Sequence, residues 1–260
     1  MMISTSELKV RTALTDRNKS NVRRYQELVI GKTGLWDLVK YEMIVTLFSW
    51  LPGALGILLR NTFYPLLLGR VGKNVTFGRN ITLRHPHKIS IGDNVMIDDN
   101  CLLDAKGTTN TGITIDSSVF IGRNTIISCK NGDIHLKDGV NIGFNCDVYS
   151  SGTVSVGPNT LLGAYTYLVG GGNYDINRFD ITFAEQEGLD SKGGIHVHGN
   201  TWLGGNVKVL DGVTIGYGSV VGAGAVVAES IPEYQIAAGV PARIVRARRP
   251  QPAANEGQKE

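Results

Sequence analysis

Three cysteines in 260 residues, Cys101, Cys129 and Cys146, are too few and too unevenly spaced for a disulfide framework or a zinc site. They read as reduced thiols packed as small core side chains in a cytosolic protein. Charge of one sign is equally scarce. The net charge is only +3, and much of that excess sits in the tail at Arg243, Arg246, Arg248 and Arg249. No basic stripe interleaved with aromatics runs through the chain, which argues against nucleic acid as a partner. The N-terminus from Met1 to Arg24 lacks the apolar core and cleavage site of a signal peptide, so the expected location is cytoplasmic. Prolines number 8 against 33 glycines, and no G-X-Y period accounts for the glycine, so many tight turns are implied. The hydrophobic fraction of 42% is enough for a real core.

Long apolar runs are nearly absent as well, with one exception. Residues 43–59 (MIVTLFSWLPGALGILL) carry no charge, and FYPLLL follows Arg60-Asn61-Thr62. That is near the length limit for a membrane span. Pro52-Gly53 and Gly56 break the middle and Arg60 closes it. A helical hairpin, packed on the rest of the chain or lying at a membrane surface, therefore fits better than a simple crossing.

What the sequence has in abundance is a period of six. From Val197, steps of six give Leu203, Val209, Ile215, Val221 and Val227, and the following residue is often glycine, as at Gly204, Gly216 and Gly222. The same frame appears upstream at Ile91, Ile97 and Leu103, at Ile115, Ile121 and Ile127, at Leu136, Ile142 and Val148, and at Val156, Leu162 and Leu168. A six-residue step serves neither a helix of period 3.6 nor an alternating strand. It suits a triangular coil in which each hexapeptide supplies a short strand and a corner, and three make a turn. After every third hexapeptide the frame slips, at 104–107, 128–131, 149–152 and 169–172, so the irregularities stack on one corner. The last slip opens into an excursion, 173–194, whose length inside so regular a scaffold marks it as functional.

The expected fold class is thus all-β, a left-handed parallel β-helix with an N-terminal helical extension. Residues 1–70 form the extension, 71–230 the coil with its inserted loop at 173–194, and 231–260 a C-terminal extension and disordered tail.

The ordered series Thr201-Trp202-Leu203-Gly204, Leu210-Asp211-Gly212-Val213, Gly222 to Val227 and Gly239-Val240-Pro241-Ala242-Arg243 resembles the hexapeptide-repeat acyltransferase superfamily. The likeness is to the bacterial sugar O-acetyltransferases of surface polysaccharides, and it spans roughly Val71 to Arg246. It implies a homotrimer whose intersubunit clefts bind acyl-CoA (acetyl-CoA) as co-substrate and a sugar or glycan acceptor, with no metal. Trp202 and Gly204 match the wall of the pantetheine channel, Gly222 and Ala223 match turns that face it, and Arg243 matches the basic residue near the nucleotide phosphates. In such enzymes a loop His is the general base. It would fall at Asn173 or Tyr174, and neither is His. Tyrosine, whose reference pKa is about 10, is a poor base and asparagine is none. Asp175 or a distant histidine, His198 ahead of His85, His87, His135 and His196, is left for the role, or the site is silent. Asn145 matches an acceptor-binding position and Ser151 lies near an orienting one. The usual Thr-Lys pair near the end of the coil reads Ala228-Glu229, which sets a negative charge beside an anionic ligand.

Three functions compete. The first is an acyl-CoA-dependent O-acyltransferase, acting on a polysaccharide or its lipid-linked precursor at the inner face of a membrane, with peripheral membrane contact through the apolar hairpin. The second is a catalytically impaired coil that binds or scaffolds. The third, a coil-shaped carbonic anhydrase, needs three zinc-binding histidines whose spacing this chain does not show.

Overall fold

The computed structural model of the chain describes residues 19–248 apart from 173, 184 and 187–190. Asn173, Arg249, the polar segment before residue 19 and the tail 250–260, all singled out above, lie outside the described residues.

The six-residue step folds as expected, into a left-handed parallel β-helix of about eight turns. Each turn adds one short strand to each of three sheets, called faces A, B and C in chain order. Faces A and C have seven strands, and face B has nine because a final antiparallel hairpin, Gln235–Ala238 with Arg243–Ala247, extends it. Successive turns pair in register: Ile142 lies against Ile121 and Leu162, and Leu203 against Leu162 and Val221. This puts each aliphatic column inside. On face B the stack Ile97, Ile121, Ile142, Leu162, Leu203 and Val221 is at most 3% exposed. Each such side chain contributes roughly 1.5–3 kcal/mol on burial, while a single turn has nothing to bury against.

Two of the three corners are tight because asparagine tolerates a left-handed backbone. Asn74, Asn94, Asn159 and Asn200 occupy the A–B corner and Asn80, Asn100, Asn124, Asn145 and Asn206 the B–C corner, all with φ between 54° and 60°. Their amides bond up the stack, with Asn80 Nδ2 donating to Asn100 Oδ1 at 3.1 Å and Asn100 Nδ2 to Asn124 Oδ1 at 3.3 Å. The third corner, C–A, holds the frame slips, and the long excursion leaves from it after the strand Tyr167–Gly170 and returns at Ile195.

Against the first turns of the coil packs the helical extension. Helix α1 (Asn21–Tyr25) runs into a wider helical turn, Gln26–Ile30, and is followed by α2 (Leu35–Phe48) and α3 (Gly53–Phe63). The break at Pro52 and Gly53 makes α2 and α3 the hairpin foreseen from the sequence. No helix among the described residues is long and apolar enough to cross a membrane. Three polar anchors fix this layer. Tyr41 donates to the Leu83 carbonyl at 2.7 Å. Arg60, 1% exposed, donates to the carbonyls of Phe77, Phe48 and Leu51, so one cation satisfies the open end of α2 and the coil at once. His85, 3% exposed, meets the Glu27 carbonyl through Nε2 at 3.0 Å.

Burial pushes the His85 imidazole from 6.5 down to about 4. The neutral ring is the one the fold accepts, so its contribution to stability is complete above pH 6.5 and is lost as pH falls through about 4. The urea midpoint read by tryptophan fluorescence should fall across that window. It should fall less in His85→Asn, which keeps a residue suited to the left-handed backbone but cannot titrate. Equal pH dependence in the two proteins would contradict this role.

Candidate functional site on the outer faces of the coil

With the interior filled by aliphatics, chemistry is confined to the outside of the coil, and its three faces differ sharply. Face A is polar: Ser90, Thr114, His135, Ser155, His196 and Thr214 follow one another in register. His135 Nε2 lies 3.1 Å from both carboxylate oxygens of Asp116, which Lys137 also approaches at 3.8 Å. Face B is apolar: Met96, Phe120, Asn141, Leu161, Trp202 and Val220 form its outer row, with Met96, Leu161 and Trp202 44%, 47% and 55% exposed. Face C mixes the two, running Leu102, Ile126, Asp147, Tyr167 and Lys208.

The residues expected to hold a cofactor lie together at the upper end of the coil. Trp202 stands on face B, and Gly204, then Gly222 and Ala223 one turn later, take the chain around the B–C corner. The amides of Gly204 and Gly222 donate to Val221 and Ala237, each at 2.8 Å, so both serve the coil's own ladder. A Cβ on Gly204 would fall 2.6 Å from the Ala223 nitrogen, which makes glycine a stacking requirement there. At this corner Gly204, Gly222 and Ala223 carry nothing larger than a methyl group. Arg243 opens the last strand, and its Nη1 lies 3.1 Å from Glu229 Oε1, both side chains exposed. Two features read separately in the sequence, the basic residue and the reversed charge, are therefore one ion pair.

The residues expected to be catalytic are spread over three corners. Tyr174 and Asp175 sit on the C–A excursion. Tyr174 packs edge-on against Phe183, and the Asp175 carboxylate accepts the Asn177 amide at 2.9 Å while Gln186 clamps the Asp175 backbone. His198 is exposed at the A–B corner, beyond the strand Ile195–Val197, about 13 Å of extended chain from the loop's return at Gly194. Asn145 is a left-handed residue of the B–C corner, where its amide donates to the Arg123 carbonyl at 2.9 Å. Within one chain these four side chains do not converge. His85 and His87 belong to the helix-anchoring layer, and Ser151 Oγ donates to the Gly170 carbonyl at 3.4 Å.

Sequence reasoning passed over Asp147. Its signal was present: the residue before each aliphatic column faces outward, and Asp147 is the one carboxylate in the outer row of face C that begins at Thr82. Burial pushes its carboxyl above the usual range, and pushes the neighbouring Tyr167 hydroxyl up as well.

No known family profile matches the chain. A Staphylococcus aureus (strain COL) protein named as an acetyltransferase is 55% identical over 60 residues, 23% of this chain and 30% of that one. A Mycobacterium tuberculosis protein also named as an acetyltransferase is 32% identical over 130 residues, 50% of this chain and 42% of that one. The matched segments thus span less than half the length of either relative. Among solved structures, a variant of AntD, an N-acyltransferase from Bacillus cereus crystallised with dTDP and coenzyme A, superposes with a TM-score of 0.51 at 26% identity, covering 70% of this chain and 85% of that one. Fold and sequence similarities together fit a hexapeptide-repeat acyltransferase.

An exposed ion pair is worth less than about 1 kcal/mol, so Arg243 can exchange Glu229 for a phosphate at little cost. Glu229→Gln should tighten coenzyme A binding in calorimetry by a few-fold, staying under the tenfold that about 1.4 kcal/mol represents. Arg243→Ala should weaken it. Unchanged affinity in both variants would remove Arg243 and Glu229 from the cofactor site.

Proposed function

We propose that the chain is an acyl-CoA-dependent O-acyltransferase that moves an acetyl group onto a hydroxyl of a sugar in a surface polysaccharide or its precursor. The observation that carries this reading is the match, over 70% of the chain, to an acyltransferase crystallised with coenzyme A. The acetyltransferase names of both curated relatives support it. The dTDP in the same crystal structure favours a sugar-linked acceptor. Thiol release from acetyl-CoA in the presence of free hexoses, hexosamines and dTDP-glucose tests it, with parallel calorimetry of coenzyme A. Acceptor-dependent release is the expected result. No release together with no binding at millimolar coenzyme A leaves a non-catalytic coil.

A second reading keeps the transfer and changes the nucleophile to an amine, favoured by AntD's being an N-acyltransferase. Hexosamines that outpace hexoses in the same assay would select it.

The working form we propose is a homotrimer in the cytoplasm, at the inner face of a membrane. The apolar outer row of face B supports the first part, because a solvent-facing row with Leu161 and Trp202 half exposed is what a neighbouring copy covers. The hairpin supports the second. Helix α2 turns apolar residues both inward, at Tyr41 and Ile44, and outward, at Trp36, Met43 and Leu47, with Trp50 just beyond its end. A helix apolar on both sides calls for cover on both, and tryptophans near its two ends with Lys32 and Lys40 exposed alongside suit an anionic lipid surface. Sedimentation alone and with phosphatidylglycerol vesicles tests both parts: three copies in the first run, and transfer to the vesicle pellet in the second. A monomer contradicts the trimer, and protein left in the supernatant contradicts the membrane contact.

A further inference from the structure

We infer that Asp147 is the general base of the transfer, taking the proton from an acceptor held on face C between Tyr149 and Tyr167. This rests on the acyltransferase reading above and adds to it the acceptor's place and the group that activates it.

Asp147 opens the strand Asp147–Ser150 directly after the B–C corner, and the alternation of that strand sends Asp147 and Tyr149 outward while Val148 and Ser150 are buried. Its cross-strand neighbours are Ile126 on one side and Tyr167 on the other. An isoleucine and a tyrosine are poor company for a charge. Elsewhere in the coil, carboxylates are tied down. Asp93, Asp99 and Asp138 accept backbone amides at the corners, Asp133 accepts the Gly112 amide, and Asp116 pairs with His135. Among the described residues, no hydrogen-bond donor and no cation reaches the Asp147 carboxylate, so it has no structural task of that kind.

Its location joins the two ends of the expected site. The B–C corner beside Asp147 is the one that carries Gly204 and Ala223 two and three turns higher, and turns are spaced about 4.8 Å apart. An acyl-CoA descending that corner from Arg243 brings its thioester toward Asp147. At the other edge of face C, beyond Tyr149, the chain leaves at Gly170 into the long excursion. The face between is about 13 Å across, and the rings of Tyr149 and Tyr167 offer apolar surface to the C–H edges of a sugar. Burial raises the Asp147 pKa, which makes its carboxylate a stronger proton acceptor than an exposed one.

The step balances without another reactant. Asp147 takes the acceptor proton as the oxygen, or nitrogen, attacks the thioester carbonyl carbon. A C–O or C–N bond forms and the carbonyl electrons move to oxygen. Collapse breaks the C–S bond, and the departing thiolate recovers the proton from Asp147, giving the acylated sugar and free coenzyme A. The absence of a histidine at Tyr174 then needs no substitute from the loop.

Asp147→Asn and Asp147→Glu test this in the full chain, using thiol release from acetyl-CoA with the acceptors named above. The Asn variant should lose about 100-fold or more in kcat, keep its affinity for coenzyme A, and lack the acidic limb of the kcat/KM profile; the Glu variant should recover part of the rate. A second arm needs no acceptor. The folded carboxyl titrates above its unfolded value, so the cost of charging it is absent below about pH 3.9 and complete above the raised pKa. Asp147→Asn should therefore raise the thermal midpoint at neutral pH, and the gain should vanish in acid. Parental kcat and pH profile in the Asn variant, or no gain in midpoint, overturns Asp147 as base. A parent that neither releases thiol nor binds coenzyme A fails at the earlier reading instead.

Discussion

Everything in this molecule depends on stacked turns whose backbone hydrogen bonds and aliphatic columns share one register. Because Ile142 must sit on Ile121 and under Leu162, the residue before it must face outward, and so must its counterpart in every turn. The interior thereby dictates the exterior. It sorts outward residues into straight rows and leaves function to whatever those rows carry. Inside, substitution is restricted by packing; outside, each face is free to acquire its own chemistry, and faces A, B and C have become polar, apolar and mixed.

The same constraint explains which glycines and asparagines are structural. Gly204 is required because the turn above approaches within what a Cβ would occupy, and the corner asparagines because a left-handed residue is needed once per corner. Tyr165 takes that conformation, with φ 62°, in the middle of the asparagine series on the B–C corner, packed edge-on against Phe144. A bulky residue in a costly backbone state, two residues before Tyr167, marks the stretch of corner where the coil departs from its own rule.

Much of the fold was legible because the period of six has a direct physical meaning: Val197, Leu203 and Val209 are one step apart in sequence and one face apart in space. The apolar run at 43–68 was legible as a hairpin through Pro52 and Gly53. The candidate site was far less so. Its members are neighbours through stacking or chain reversal, as with Glu229 and Arg243, which meet only because the final hairpin folds back. Nor did a motif draw attention to Asp147, whose distinction is its lack of a partner beside Ile126 and Tyr167, a property of environment that residue type does not encode. Asn145 and Tyr174 stood out through family position and His198 through its place just after the long loop, and the coil puts the three on separate corners.

The most direct test of the account is a crystal structure of the chain with coenzyme A bound. The account predicts the pantetheine arm along the B–C corner past Trp202, Gly204 and Ala223, the phosphates at Arg243 with Glu229 displaced, and the thiol directed at face C toward Asp147. Coenzyme A lying on face A, or running along the C–A corner with its thiol away from Asp147, would contradict it.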